Sequence, residues 1–93
     1  MRVGILEIEL HLPGVRSLKE KRGIIKSLTA RIRQRFQVAI AEVAHQDAWQ
    51  SAGLGAAAVG NDAALLQERL RALVRAIEES GLVVLVDFHI EIL

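Results

Sequence analysis

A chain of 93 residues, 52% of them hydrophobic, is long enough to bury one core, so we expect a single domain over residues 1–93 and exclude intrinsic disorder. The absence of cysteine excludes disulfides, zinc ribbons and thiolate nucleophiles, and without a membrane-length apolar run or a signal-peptide layout a cytoplasmic protein is expected. The net charge is only +1, but residues 16–35 hold eight of the twelve basic residues and a single acid, so this segment carries +7 and the remainder −6.

The beginning of the chain predicts a strand followed by a helix. Residues 2–12 alternate apolar and polar side chains, which is typical of a half-buried strand, and Pro13-Gly14 ends it. Ser17 followed three residues later by Glu20 forms a capping box, the usual start of a helix. The apolar positions at helical spacing continue to Phe36.

Four further elements follow in the second part of the chain. Residues 37–44 predict a second strand, and residues 49–59, rich in glycine and alanine, a third. Gly60-Asn61-Asp62 opens a second helix, with Asn61 or Asp62 as its N-cap, and Gly81 ends it. In the last strand Val84, Val86, Phe88, Ile90 and Ile92 are predicted to point inward, and Leu85, Asp87, His89 and Glu91 outward.

This order predicts an α+β fold class: a ferredoxin-like β-α-β-β-α-β domain, with a four-stranded antiparallel sheet and two helices on one face. The first and third strands then lie at the centre of the sheet. Their outward positions hold carboxylates, glycines and small residues but no aromatic side chain. Base stacking on this sheet, as in RNA-recognition-motif proteins, is therefore not expected.

The first helix carries the strongest functional signal. Acidic partners at helical spacing are nearly absent, and several cations crowd the helix N-terminus, where the dipole opposes them. Together with the turn at Gly14 and the cap at Ser17, this predicts a site for anions such as phosphate, although an ordinary solvated helix face stays open. The residues predicted to contact phosphate or RNA are Arg16, Lys19, Lys21, Arg22, Lys26 and Arg33.

No catalytic, cofactor-binding or metal-binding residue is predicted. The three histidines lack any recognised ligand spacing, and Ser17 is explained as a helix cap. Trp49 either anchors the turn before the third strand or faces a partner, and the sequence leaves both open.

The chain resembles a known family over essentially its whole length. Residues 10–22, LHLPGVRSLKEKR, are similar to the opening signature of the YlxP-like bacterial proteins, a family of unknown function. Later matches are Ala41-Glu42-Val43, Asp47, Trp49-Gln50, Leu54-Gly55, Val59-Gly60-Asn61-Asp62 and Glu91-Ile92-Leu93. The resemblance implies a ferredoxin-like fold and no catalytic residues. Genes of this family often lie near those for a translation initiation factor and ribosome-binding factor A, which implies a role around the ribosome or RNA.

These observations favour a non-enzymatic RNA- or ribosome-associated binding module that uses its basic first helix. Two alternatives stay open. Gly14-Val15-Arg16 resembles the arginine loop of acylphosphatases, which share this fold and also need an asparagine, for which Asn61 is the only choice. The other alternative is a regulatory or assembly module that forms a homodimer through its sheet face. Neither sequence-specific reading of DNA nor a membrane partner is expected.

Overall fold

The computed structural model describes residues 1–93 and confirms the predicted order of elements and the ferredoxin-like α+β fold. The sheet order is β2-β3-β1-β4, and each strand is antiparallel to its neighbours, so β1 and β3 are central. Neither helix is long and apolar enough to cross a membrane. The elements are β1 (Arg2–His11), α1 (Leu18–Arg35), β2 (Ala39–Ala44), β3 (Ser51–Gly60), α2 (Ala63–Glu79) and β4 (Val84–Ile92).

A single aliphatic core lies between the sheet and the two helices. The inward positions of β1 and the apolar stripes of both helices supply most of its 19 residues, as their period-2 and helical spacing predict. Thr29 and Lys21 are the two buried residues that are polar or charged. The Thr29 hydroxyl donates to the Ile25 carbonyl one turn earlier, and Lys21 is the only fully buried residue that carries a charge.

Side-chain caps define where both helices begin. Ser17 Oγ accepts a hydrogen bond from the Glu20 amide at 3.1 Å, which confirms the predicted capping interaction. At α2 the cap is Asp62, whose carboxylate accepts from the amides of Ala64 and Leu65, and Asn61 does not serve as the cap. Each helix start is thus stabilised by a cap from its own sequence.

The first half of β4 differs from the predicted alternation. Phe88, Ile90 and Ile92 pack against the core as expected, but Val86 is 64% exposed and Leu85 packs inward. The cause is a register shift, since Glu9 pairs with Asp87 whereas Leu10 pairs with Leu85. Because of the extra residue in this bulge, the preceding residues of β4 point to the opposite face of the sheet from the one predicted. The predictions that Val84 and Val86 point inward and Leu85 outward are therefore wrong.

A close approach between β2 and β3 requires glycine at position 53. A Cβ atom built on Gly53 would lie 2.7 Å from the Cβ of Ala44, where the register of β2 against β3 also shifts. Gly53→Ala is therefore expected to lower the free energy of unfolding by about 1–3 kcal/mol, because one of two hydrogen-bonded strands must move.

Gly23→Ala is the matched control for this substitution. Position 23 lies in the exposed part of α1, and an added Cβ meets nothing within 4 Å there. Alanine should raise the free energy of unfolding by about 0.5–1 kcal/mol through helix propensity alone. Urea denaturation measures the free energy of unfolding of both variants. Equal changes in the same direction would contradict the requirement for glycine at position 53.

Candidate nucleic-acid interface

The connection between β1 and α1 places Arg16 at the surface. Leu12 and Val15 are buried on one side of it, Gly14 adopts a positive φ of 79°, and Ser17 begins the helix cap on the other side. The backbone amide of Arg16, one residue before the N-cap, donates to Glu20 Oε2 at 3.1 Å. The protein's own side chains thus occupy the amides of Arg16 and Glu20. The guanidinium of Arg16, rather than an open cradle of amides, is what this connection offers to an anion.

Lys21 is fully buried, and its predicted contact with phosphate is wrong. The exposed fraction of the residue is 0%, and its Nζ lies 2.8 Å from Glu42 Oε2 and donates to the His45 carbonyl at 2.6 Å. The physical reason is its place on the helix. On a helical wheel that sets the first residue of α1 at 0°, Lys21 lies at about 300°, between the buried Leu28 at about 280° and Ile32 at about 320°. Lys21 is thus part of the interior.

The other basic residues of the segment are exposed and have no acidic partner. Every carboxylate oxygen of the protein is more than 4.0 Å from their charged groups. Within that distance, carboxylates contact only Lys21, through Glu42, and His45, through Glu9. Their charge is therefore available to an external anion. These seven exposed cations, here called the basic surface, are Arg16, Lys19, Arg22, Lys26, Arg31, Arg33 and Arg35.

Two members of the basic surface also make contacts within the protein. Arg33 donates a hydrogen bond of 2.7 Å to the carbonyl of Ile40 in the edge strand β2. The guanidinium of Arg35 lies 5.4 Å from the centre of the Phe36 ring, in cation–π geometry. Arg33 thus has a structural role beside its predicted one, because it covers a free carbonyl of the sheet edge.

The loop between β2 and β3 is hydrogen-bonded to the β1–α1 connection. The side-chain amide of Gln50 donates to the Val15 carbonyl at 3.1 Å, and the Gln50 carbonyl accepts from the Leu12 amide at 2.9 Å. His11 Nδ1 lies 2.9 Å from the same carbonyl oxygen. Residues 45–50 therefore lie at the same end of the molecule as Arg16.

This attachment places Trp49 at the same end of the molecule as Arg16. Trp49 is 54% exposed, so it does not anchor the turn by burial, which was one of its two interpretations. Its neighbour Gln50 bonds to Val15, the neighbour of Arg16. The sequence contains no signal for this proximity, because it depends on bonds between residues about 35 positions apart along the chain.

The open face of the sheet has the opposite chemistry. Glu7 and Glu9 of β1 lie beside His89 and Asp87 of β4, and glycines of β3 flank them on the other side. His45 Nε2 lies 3.0 Å from Glu9 Oε2. No three histidine, aspartate or glutamate residues are arranged to hold a metal ion. A homodimer through this face stays a prediction.

Arg16 and Asn61 lie at opposite ends of the sheet. Arg16 follows the end of β1, whereas Asn61 follows Gly60, which pairs with Arg2 at the start of β1. Ten strand residues at ~3.3 Å each separate the two ends. These two residues therefore do not share a site, as the arginine and asparagine of an acylphosphatase-like centre would need to.

Comparison with known proteins identifies the family. The model of the family described as "Protein of unknown function (DUF503)" matches residues 3–90. The chain is also 33% identical over 76 residues to the uncharacterized protein YlxP of Bacillus subtilis (strain 168), covering 82% of this chain and 83% of that relative. The match confirms the resemblance to YlxP-like proteins that residues 10–22 predicted. The chain therefore belongs to the DUF503 family.

Proposed function

We propose that this protein is a cytoplasmic, non-enzymatic RNA- or ribosome-associated binding module whose basic surface contacts phosphate groups. One observation carries the proposal: seven exposed cations lie within twenty residues of chain, and no charged side-chain group among them has a carboxylate oxygen within 4.0 Å. Such charges repel one another in the free protein. A polyanion relieves that repulsion and releases its counterions on binding.

The arrangement of the cations along α1 suits an extended ligand. Lys19, Arg22, Lys26 and Arg33 lie within about 60° of one another around the helix, and at 1.5 Å per residue they span about 21 Å along its axis. Arg16 extends the stripe beyond the helix N-terminus. A stripe of this length contacts several phosphates of one backbone, whereas a small phosphorylated metabolite meets only one or two of the cations.

The acids of β1 and β4 support one orientation of the ligand. Glu7, Glu9, Asp87 and Glu91 face away from the helices on the open sheet face, where they repel phosphates. RNA therefore approaches the helix side and the end of the molecule at Arg16. The sheet face stays directed away from it.

The salt dependence of RNA binding tests the proposal. With five phosphate contacts to a single-stranded segment, the logarithm of the binding constant should fall against the logarithm of the salt concentration with a slope of about −3.5. The five cations expected to make these contacts are Arg16, Lys19, Arg22, Lys26 and Arg33. The affinity then drops about 100-fold between 50 and 200 mM salt. Fluorescence anisotropy with labelled fragments of ribosomal RNA measures this directly.

Single-charge variants assign the contacts to α1. Lys26→Gln should reduce the steepness of the slope by about 0.7, while Arg71→Gln, an exposed residue of α2, should leave it unchanged. No binding to ribosomal RNA or ribosomal particles at 50 mM salt, or binding that does not respond to salt, would contradict the proposal.

A further inference from the structure

Trp49 is the one exposed aromatic side chain of this protein, and it lies at the end of the molecule that carries Arg16. The chain has a single tryptophan and no tyrosine, and both phenylalanines, Phe36 and Phe88, are partly buried against the core. Trp49 is instead 54% exposed on the loop between β2 and β3. Tryptophan is enriched at interfaces, because its apolar ring and its N–H group can both contact a partner.

The surroundings of Trp49 indicate the chemistry of that ligand. Gln50 holds the loop against the β1–α1 connection through bonds to Val15 and Leu12, so Trp49 and Arg16 are each one residue away from the same junction. Trp49 and Arg16 therefore lie at the same end of the molecule, which carries an exposed indole ring and an unpaired guanidinium. An apolar ring and a free cation at one end of the molecule match a nucleotide, which has a base to stack and a phosphate to bind.

The loop that carries Trp49 is held in place from inside the protein. The His45 carbonyl accepts two hydrogen bonds, one from the Ala48 amide at 3.0 Å, which closes a turn, and one from the buried Nζ of Lys21 at 2.6 Å. His45 itself has a φ of 61°, in the left-handed region. A side chain on a loop with this much internal support binds with little loss of conformational entropy.

We propose that Trp49 stacks on an unpaired base of the RNA whose backbone contacts the basic surface. This inference rests on the proposed function and deepens it, because it assigns a preference for single-stranded over double-stranded RNA. The bases of a duplex are stacked within the helix and present no free face to an indole ring. Stacking of this kind is tolerant of sequence, since every base has a π-face.

Intrinsic fluorescence tests the inference without a label on the protein, because Trp49 is the only tryptophan. A single-stranded oligoribonucleotide should quench its emission as it binds, whereas a blunt duplex of the same sequence should bind more weakly and quench little. In anisotropy titrations with labelled RNA, Trp49→Ala should lose between about fivefold and 100-fold in affinity for the single strand. It should lose none for the duplex.

Two controls separate the role of Trp49 from other effects. Leu65→Ala removes an apolar side chain of similar exposure, 60%, from α2, and should change neither affinity. Trp49→Phe keeps an aromatic ring and should recover part of the loss. Urea denaturation should show that all three variants are as stable as the unmodified protein to within about 0.5 kcal/mol.

Several results would overturn the inference and leave the proposed function intact. One is salt-dependent RNA binding with no change in Trp49 emission and equal affinity for Trp49→Ala. Another is loss of binding to ribosomal particles in Trp49→Ala while naked RNA binds normally, which would assign Trp49 to a protein contact. If no RNA binds at all, the proposed function fails first and the inference fails with it.

Discussion

Replacing Lys21 by methionine is expected to lower the free energy of unfolding by about 3 kcal/mol. The substitution keeps the length of the side chain but removes the ammonium group from the interior. Glu42 Oε2 is buried and accepts no hydrogen bond, so its charge would lose its only partner, the Lys21 ammonium 2.8 Å away. The His45 carbonyl would also lose its shortest hydrogen bond. The Glu42 side chain is 18% exposed, so water solvates its unpaired carboxylate in part. The loss in the free energy of unfolding should therefore lie at the lower end of the range for breaking a buried ion pair.

Two further variants decide whether the ion pair is the cause. Lys19→Met makes the same chemical change at an exposed position and should alter stability by less than about 0.5 kcal/mol. The double variant Lys21→Met, Glu42→Leu removes both charges and should recover most of the loss, because two apolar side chains of similar volume replace the pair. Urea denaturation measures the free energy of unfolding of all three variants, and its slope against urea concentration should be the same for each. Equal midpoints for Lys21→Met and Lys19→Met would show that the pair contributes nothing.

Lys21 is the predicted phosphate contact that the structure places in the interior, although the sequence holds a signal for its burial. Its helical position falls between those of Leu28 and Ile32, which separates it by about 100° or more from the stripe of cations that begins at Lys19. Glu42 lies in phase with Ile40 on the inward side of β2. Two opposite charges on inward positions of adjacent elements predict a buried pair. Lys21 is thereby a positioning residue that supports the loop of Trp49, not a phosphate contact.

The fold was predictable because its signals are local. The capping box at Ser17, the alternation in β1 and the apolar stripes of both helices each depend on residues within a few positions of one another. The bulge in β4 was not predictable, since it arises from pairing with Glu9 and Leu10, far away along the chain. The exposed cations follow from helical periodicity, whereas the neighbourhood of Trp49 follows from the long-range bonds of Gln50.

Neutralising four cations of the basic surface is expected to reduce RNA affinity at 50 mM salt by about 1,000-fold or more. The variant replaces Arg16, Lys19, Arg22 and Lys26 by glutamine, because none of these side chains has a partner within the protein. Each neutralised cation reduces the steepness of the salt slope by about 0.7, so the slope should become shallower than about −1. Anisotropy titrations at several salt concentrations measure both quantities.

The same variant should fold at least as stably as the unmodified protein. It removes repulsion between like charges on α1 and takes cations away from the positive end of the helix dipole. A matched comparison tests for a simple effect of net charge. The double variant Arg22→Gln, Lys26→Gln on α1 should lose about 50-fold in affinity. The double variant Arg71→Gln, Arg75→Gln makes the same charge change on α2 and should lose little. If both pairs weaken binding equally, RNA responds to the overall charge of the protein, and the basic surface is not its site.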